Sequence, residues 1–199
     1  MPLSSEKIEK PRNSDKCITA EFAKYWCGTH APTKLRPGQV GRRLFKEFCD
    51  QGYTHWVNSA GHEARRLPGL MEVYPHPALL TLIPLDERLS KFGNNKRLPY
   101  KISRARSYFR DIPEPSKRRQ KLAETWRHIV TGLEQVISGV SKELGQVPSP
   151  EVLAGWKDYE DRLDAVVCAW VAIAALEGRA RAFGDAGSAI WVPLPAGVS

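Results

Sequence analysis

Residues 159–170 read YEDRLDAVVCAW, a run that opens the last helical stretch of the chain with acids and closes it with apolar residues. Plotted at about 100° per residue, Leu163, Val166, Val167, Trp170, Val171, Ile173 and Ala174 form one apolar face. Asp164 lies on the edge of that face, and Asp161 sits about 60° further round. A carboxylate at the margin of a buried face needs a partner, because desolvating a charge costs more than neighbouring methyl groups return. Asp158 and Glu160 have a simpler explanation: acids in the first helical turns favour the positive end of the helix dipole, with Lys157 or Arg162 in pairing range.

A second acid stands out upstream. Glu72 interrupts the apolar stretch LMEVYP, residues 70–75, which is bounded by Pro68-Gly69 and Pro75 and reads as a short buried strand. A carboxylate inside such a run takes a cation as partner, either a buried arginine or a metal ion. If Glu72 and the Asp161/Asp164 pair converge, their hard oxygen donors, with no His or Cys beside them, suit Mg²⁺ or Mn²⁺ rather than zinc.

Around these acids the chain reads as mostly helical. Residues 1–14, MPLSSEKIEKPRNS, are polar and aperiodic and are expected to form a flexible N-terminal segment, with residues 15–199 as a single domain. Ser14 and Asp15 are candidate caps for a short helix ending near Trp26, and residues 28–38 read as loop. GRRLFKEFCDQG, residues 41–52, has amphipathic spacing with Leu44, Phe45 and Phe48 inward. PALLTLI gives one or two helical turns, and a helix is expected over about residues 103–110. Pro113 and Pro115 precede a long helical period through residues 117–144, and a final helix is expected over 156–182. AIWVP, residues 189–193, reads as a second strand. Two short strands are marginal by themselves, so the expected architecture is α/β, helix-rich, with an incomplete sheet. An open sheet edge of that kind invites a homo-oligomer or another partner.

Composition narrows the function classes. The chain has 199 residues, 42% hydrophobic and 9% aromatic, enough for one domain with a real core. No signal peptide is visible, and the longest apolar run, residues 165–176, falls short of the roughly 20 residues needed to span a bilayer, so no membrane partner and a cytoplasmic location are expected. Cys17, Cys27, Cys49 and Cys168 form no C-x-x-C pair, which suggests neither a zinc site nor a disulfide framework. The net charge is +8, and residues 96–121 hold ten bases against two acids, an excess equal to that of the entire chain. Such a segment suits a phosphate backbone, with Lys96, Arg97, Lys101, Arg104, Lys117, Arg118 and Arg119 as candidate nucleic-acid contacts. A solvated basic face with no partner is the plainer alternative. Tyr100, Tyr108 and Phe109 could stack on bases, although aromatics at helical spacing more often fill the core. His30 and His76 are within conceivable reach of a site, but lone histidines of this kind are left out of it.

Taken in order, GLMEVYPHPA (69–78), LPYK (98–101), DRLDAVVCAWVA (161–172) and GSAIWVP (187–193) resemble the family of predicted RNase H-like nucleases. The D-x-x-D-A pattern is also similar to the C-terminal helix of RuvC-type resolvases. The resemblance covers most of the chain from about Asp15 onward. It implies an RNase H-like fold and a phosphodiester hydrolase that uses Mg²⁺ or Mn²⁺ on nucleic acid, with Glu72, Asp161 and Asp164 as metal ligands and Lys101 among the nucleic-acid contacts. Members of that family carry two further motifs, a V-D-G strand and a strand ending in I-D-x-P. V-D-G is missing here, and the opening MPLS resembles the tail of the second. The expectation is therefore a chain that begins inside the family's pattern, either with its first strands and two acids upstream or as a shortened homologue. The alternative is a non-catalytic protein of the same fold that binds nucleic acid or a partner.

Overall fold

The computed structural model describes residues 2–4, 8, 10–29, 38–57, 68–92 and 96–195; most of the expected 28–38 loop, His30 included, lies outside them. The described residues are helix-rich and mixed α/β, with one sheet of two strands and one of three, in keeping with the sequence. It divides into two compact units, Met1–Ala78 with Val171–Ser199 and Leu79–Trp170.

The first unit opens with α1 (Asn13–Phe22), α2 (Gln39–Asp50) and β1 (Thr54–His55). α1 starts two residues before its expected cap: Asp15 occupies the third helical position and accepts the backbone N–H of Arg12 at 3.0 Å. Leu44, Phe45 and Phe48 of α2 are half-buried, and Phe45 meets His55 edge to face at 5.0 Å. The single strand expected over residues 70–75 is instead split. β2 (Gly69–Leu70) pairs in parallel with β1, while β3 (Glu72–Val73) pairs in parallel with a strand of a different sheet. Pro75 ends the ladder because it has no N–H to give, and its fixed φ suits the first turn of α3 (Pro75–Leu82).

The final helix also differs from its expected bounds. α8 (Trp156–Leu176) stops six residues early, where Gly178 adopts φ 73° and Arg179 N–H returns to the Ala174 carbonyl at 2.7 Å. Residues expected to continue the helix become β4 (Ala180–Gly184), which forms an antiparallel hairpin with β5 (Ala189–Pro193). β5 is the middle strand of the order β3-β5-β4 and is buried along its entire length, which explains its unbroken apolar run. α1 packs on β4 and β5, Phe22 against Phe183 at 5.4 Å, and Trp191 Nε1–H donates to the Trp56 carbonyl at 3.0 Å.

Burial, and next the charge of Arg12, hold the His55 imidazole below its usual range. In the interval between its folded and its unfolded value near 6.5, only the unfolded chain binds the proton, so stability falls as pH drops below about 6.5 and is unaffected by this group above it. His128 of the second unit is lowered by burial in the same direction, against the opposing charge of Glu87. Thermal unfolding of His55→Phe between neutral and mildly acidic pH should show a shallower acid loss than the parent chain. A slope unchanged by the substitution would leave His128 as the titrating imidazole.

The second unit contains the rest of α3, α4 (Leu85–Phe92), a 3₁₀ turn (Ile102–Arg104) leading into α5 (Ala105–Tyr108), α6 (Pro115–Glu134), α7 (Val140–Leu144) and most of α8. One continuous period through residues 117–144 is broken by Gly139 at φ 87°. The Glu134 carboxylate takes over the ends left by the break, accepting the N–H groups of Gly139 and Ser141 at 2.7 and 2.8 Å, which lowers its own pKa. Leu122, Trp126, Ile129 and Leu133 of α6 are fully buried, as are Trp156, Tyr159, Leu163 and Val167 of α8.

Candidate active site

Among the described residues, each unit brings carboxylates and cations together in a cluster that is at least partly buried. In the first, Glu72 of β3 is 6% exposed and accepts both arms of the Arg12 guanidinium, Nη1 and Nη2 each at 2.7 Å. The Leu3 N–H adds a third bond at 3.0 Å. Arg12 also donates from Nε and Nη2 to the two oxygens of Asp15, both at 3.1 Å, and from Nη1 to the Leu3 carbonyl at 3.3 Å. Every edge of the guanidinium is thus used. Burial works against its charge, yet the hydrogen bonds to Glu72 and Asp15 hold its pKa above the ordinary arginine range. The N-terminal segment, read from sequence as flexible, supplies two of the residues that close this cluster.

In the second unit the first turns of α8 bring Glu160, Asp161 and Asp164 together, with one oxygen of each within 4.8 Å of the others. Their environments differ. Glu160 is 3% exposed, accepts the Ile102 N–H on Oε2 at 2.6 Å, and faces Lys157 and Lys101 with Oε1 at 3.1 and 3.6 Å. Asp164 is half-buried, takes the Tyr100 hydroxyl on Oδ1 at 3.1 Å and the Lys101 ammonium on Oδ2. Asp161 is exposed and paired to Lys157. Lys101 also lies 4.5 Å from the Tyr100 ring centroid. Burial, and then the charge of Asp164, hold the Tyr100 hydroxyl well above its usual range, so it stays protonated and remains a donor. Cys168, one turn beyond Asp164, is pushed up by burial and by the same carboxylate, which keeps it a thiol.

Of the residues singled out in the sequence, Asp161, Asp164 and Lys101 therefore meet in one cluster, whereas Glu72 belongs to the other unit with Arg12 as its counter-ion. Glu160, expected from sequence only as an acid favoured by the helix dipole with Lys157 or Arg162 in range, does pair with Lys157, but it is also buried and joins the cluster, where it accepts the Ile102 N–H.

The basic segment lies wholly in the second unit with this cluster. Arg104, Arg106 and Arg110 are exposed, and the last two were not singled out in the sequence although they sit in the same basic run. Lys96 and Arg97 are half-buried, with Arg97 5.9 Å from the Tyr108 ring centroid. Lys117 is exposed and pairs with Glu114 at 3.2 Å. Arg118 and Arg119 donate to the carbonyls of Pro113 and Pro150 at 2.9 and 2.5 Å, so both also have scaffold roles. Tyr100 belongs to the core rather than to a stacking platform. A groove along α2, lined by Arg42, Arg43, Phe45, Lys46 and Cys49, shares no residue with either cluster.

Fold and site together define a helix-rich α/β protein with a lysine-paired acid cluster in the same unit as a strongly basic segment. The family model DUF429, described as a protein of unknown function, matches residues 43–187, and the chain belongs to that family. The matched span contains Glu72, the α8 acids and the basic segment, and leaves out Arg12. Comparison with curated proteins and with solved structures finds no match. Among the described residues, no helix is long and apolar enough to cross a membrane.

Proposed function

We propose that the chain is a metal-dependent phosphodiester hydrolase acting on nucleic acid, of the RNase H-like kind that its motifs resemble, with Mg²⁺ or Mn²⁺ held by Glu160, Asp161 and Asp164. The observation that carries this reading is the gathering of three carboxylates on α8 within 4.8 Å, in the same unit as the basic segment. The donor set fits the ion: all ligands are hard oxygens, with no imidazole or thiolate among them. The chemistry such an ion supplies when bound is activation of water and neutralisation of charge at a scissile phosphate. The chain's own part is positional. Ile102 N–H and Tyr100 O–H fix one oxygen of Glu160 and one of Asp164, which turns the other oxygen of each toward a common cation. Arg104, Arg106 and Arg110 present exposed charge for the phosphate backbone. In this reading Glu72 is a scaffold carboxylate, and it joins a metal centre only by giving up Arg12.

A second reading, nucleic-acid binding without hydrolysis, is favoured by the pairing of each of the three clustered carboxylates with Lys101 or Lys157. Thermal unfolding with and without Mn²⁺ separates the two. At a hundredfold excess over its dissociation constant, Mn²⁺ should stabilise the wild type by about 2.7 kcal/mol, or roughly 5–10 °C, and Asp164→Asn should abolish the shift together with Mn²⁺-dependent cleavage of an oligonucleotide. No shift in the wild type, with salt-sensitive oligonucleotide binding retained, would overturn the hydrolase and leave the binding protein.

A further inference from the structure

The ammonium of Lys101 occupies the position on which the second oxygens of Glu160 and Asp164 converge, and Glu160 Oε1 is shared with Lys157 at 3.1 Å. Asp164 commits Oδ1 to the Tyr100 hydroxyl and Glu160 commits Oε2 to the Ile102 N–H, which leaves Asp164 Oδ2 bonded to Lys101 Nζ and Glu160 Oε1 at 3.6 Å from it. The side chain that fills this seat is 22% exposed and hangs from a flexible four-carbon stem. Arg12 in the other unit makes the contrast plain: its guanidinium is closed in by two carboxylates and a carbonyl, with no such freedom.

We infer that Lys101 is an exchange residue, a tethered cation that holds the seat until a divalent ion displaces it and then becomes a ligand for a nucleic-acid phosphate. The inference rests on the proposed metal site and adds to it a coupling: metal binding converts a lysine neutralised by carboxylates into one available to phosphate. Two consequences follow from competition for one seat. Apparent metal affinity is reduced by the fraction of time Lys101 occupies the carboxylates. Nucleic-acid affinity gains one phosphate contact only in the presence of metal.

The test uses the full chain, Mn²⁺, and an oligothymidylate with phosphorothioate linkages, with Lys101→Met and Lys101→Arg beside the wild type. Lys101→Met should bind Mn²⁺ about tenfold more tightly, while Lys101→Arg, whose guanidinium grips a carboxylate with two bonds, should bind it more weakly. In Mn²⁺ the dependence of oligonucleotide affinity on salt should be shallower by about one unit in Lys101→Met than in the wild type, and without Mn²⁺ the two slopes should coincide. Mn²⁺ binding by the wild type that neither substitution alters, or slopes that differ equally with and without metal, would overturn the exchange while leaving the metal site standing. Absence of Mn²⁺ binding in the wild type and both variants would overturn the metal site and the exchange together. Should Lys101→Met fail to fold, Lys101→Arg retains the charge and carries the affinity comparison, an unchanged Mn²⁺ affinity again overturning the exchange.

Discussion

Replacing Arg12 with methionine is expected to cost about 3–5 kcal/mol of folding free energy, because it strips the cation from two carboxylates that stay buried. Glu72 and Asp15 have side chains only 7% and 4% exposed, so water cannot take over the hydrogen bonds that Arg12 now supplies. A loss of that size is about a fifth or more of the roughly 5–15 kcal/mol that a marginally stable domain has in hand. The substitution also releases the N-terminal segment, since Leu3 is tied to the same cluster through both its N–H and its carbonyl. Urea unfolding gives the test. Arg12→Met together with Glu72→Met removes both charges of the closest pair and should be less destabilised than the sum of the single variants, because the orphaned Glu72 charge goes with its partner. A single-variant loss within about 0.5 kcal/mol, the range of an ordinary surface change, would mean that the cluster is solvated in solution and that Glu72 is available to a metal.

This cluster shows why part of the architecture was readable and part was not. The apolar run around Glu72 announced a buried acid that needed a cation, and periodicity placed α3, α8 and β5 close to where they lie. The cation itself is 60 residues away from Glu72, in a polar stretch with no hydrophobic pattern, and no local rule connects the two. The place of Glu160 in the cluster was hidden for a similar reason, since the Ile102 N–H that it accepts lies 58 residues upstream. The β4 strand was misread for a different reason. Its alanine and arginine residues favour helix, so propensity extended α8 through residues 180–182, although the alternation of ARAF and the preceding Gly178 both pointed to a strand. Pairing with β5 decided the outcome, as tertiary context does when local preference is weak. The same competition split the 70–75 run at Met71, where each half found a different strand to pair with.

The geometry of the α8 cluster depends on a residue that touches none of its carboxylates. Trp126 of α6 is fully buried, stacks on Tyr159 at 5.1 Å with an interplanar angle of 16°, and lies 4.9 Å from the Trp156 ring. Its Nε1–H donates to the Tyr100 carbonyl at 2.6 Å. One indole thus holds the first turn of α8, which leads into Glu160 and Asp161, and the extended segment that carries Tyr100 and Lys101. Trp126→Ala should cost about 3–5 kcal/mol, through lost burial and the cavity left beside two aromatic rings. Trp126→Phe keeps most of the packing but removes the indole N–H that the Tyr100 carbonyl accepts, for a loss of about 1 kcal/mol or more. Trp126→Phe is therefore the sharper probe of how packing serves the site. It should remain folded by urea unfolding, yet bind Mn²⁺ less tightly than the wild type, because the Tyr100 hydroxyl is no longer held where it fixes Asp164 Oδ1. Wild-type stability and wild-type Mn²⁺ affinity in Trp126→Phe would show that the carboxylates are positioned by α8 alone, and that the hydrogen bond from Trp126 to Tyr100 contributes nothing to the seat that Lys101 fills.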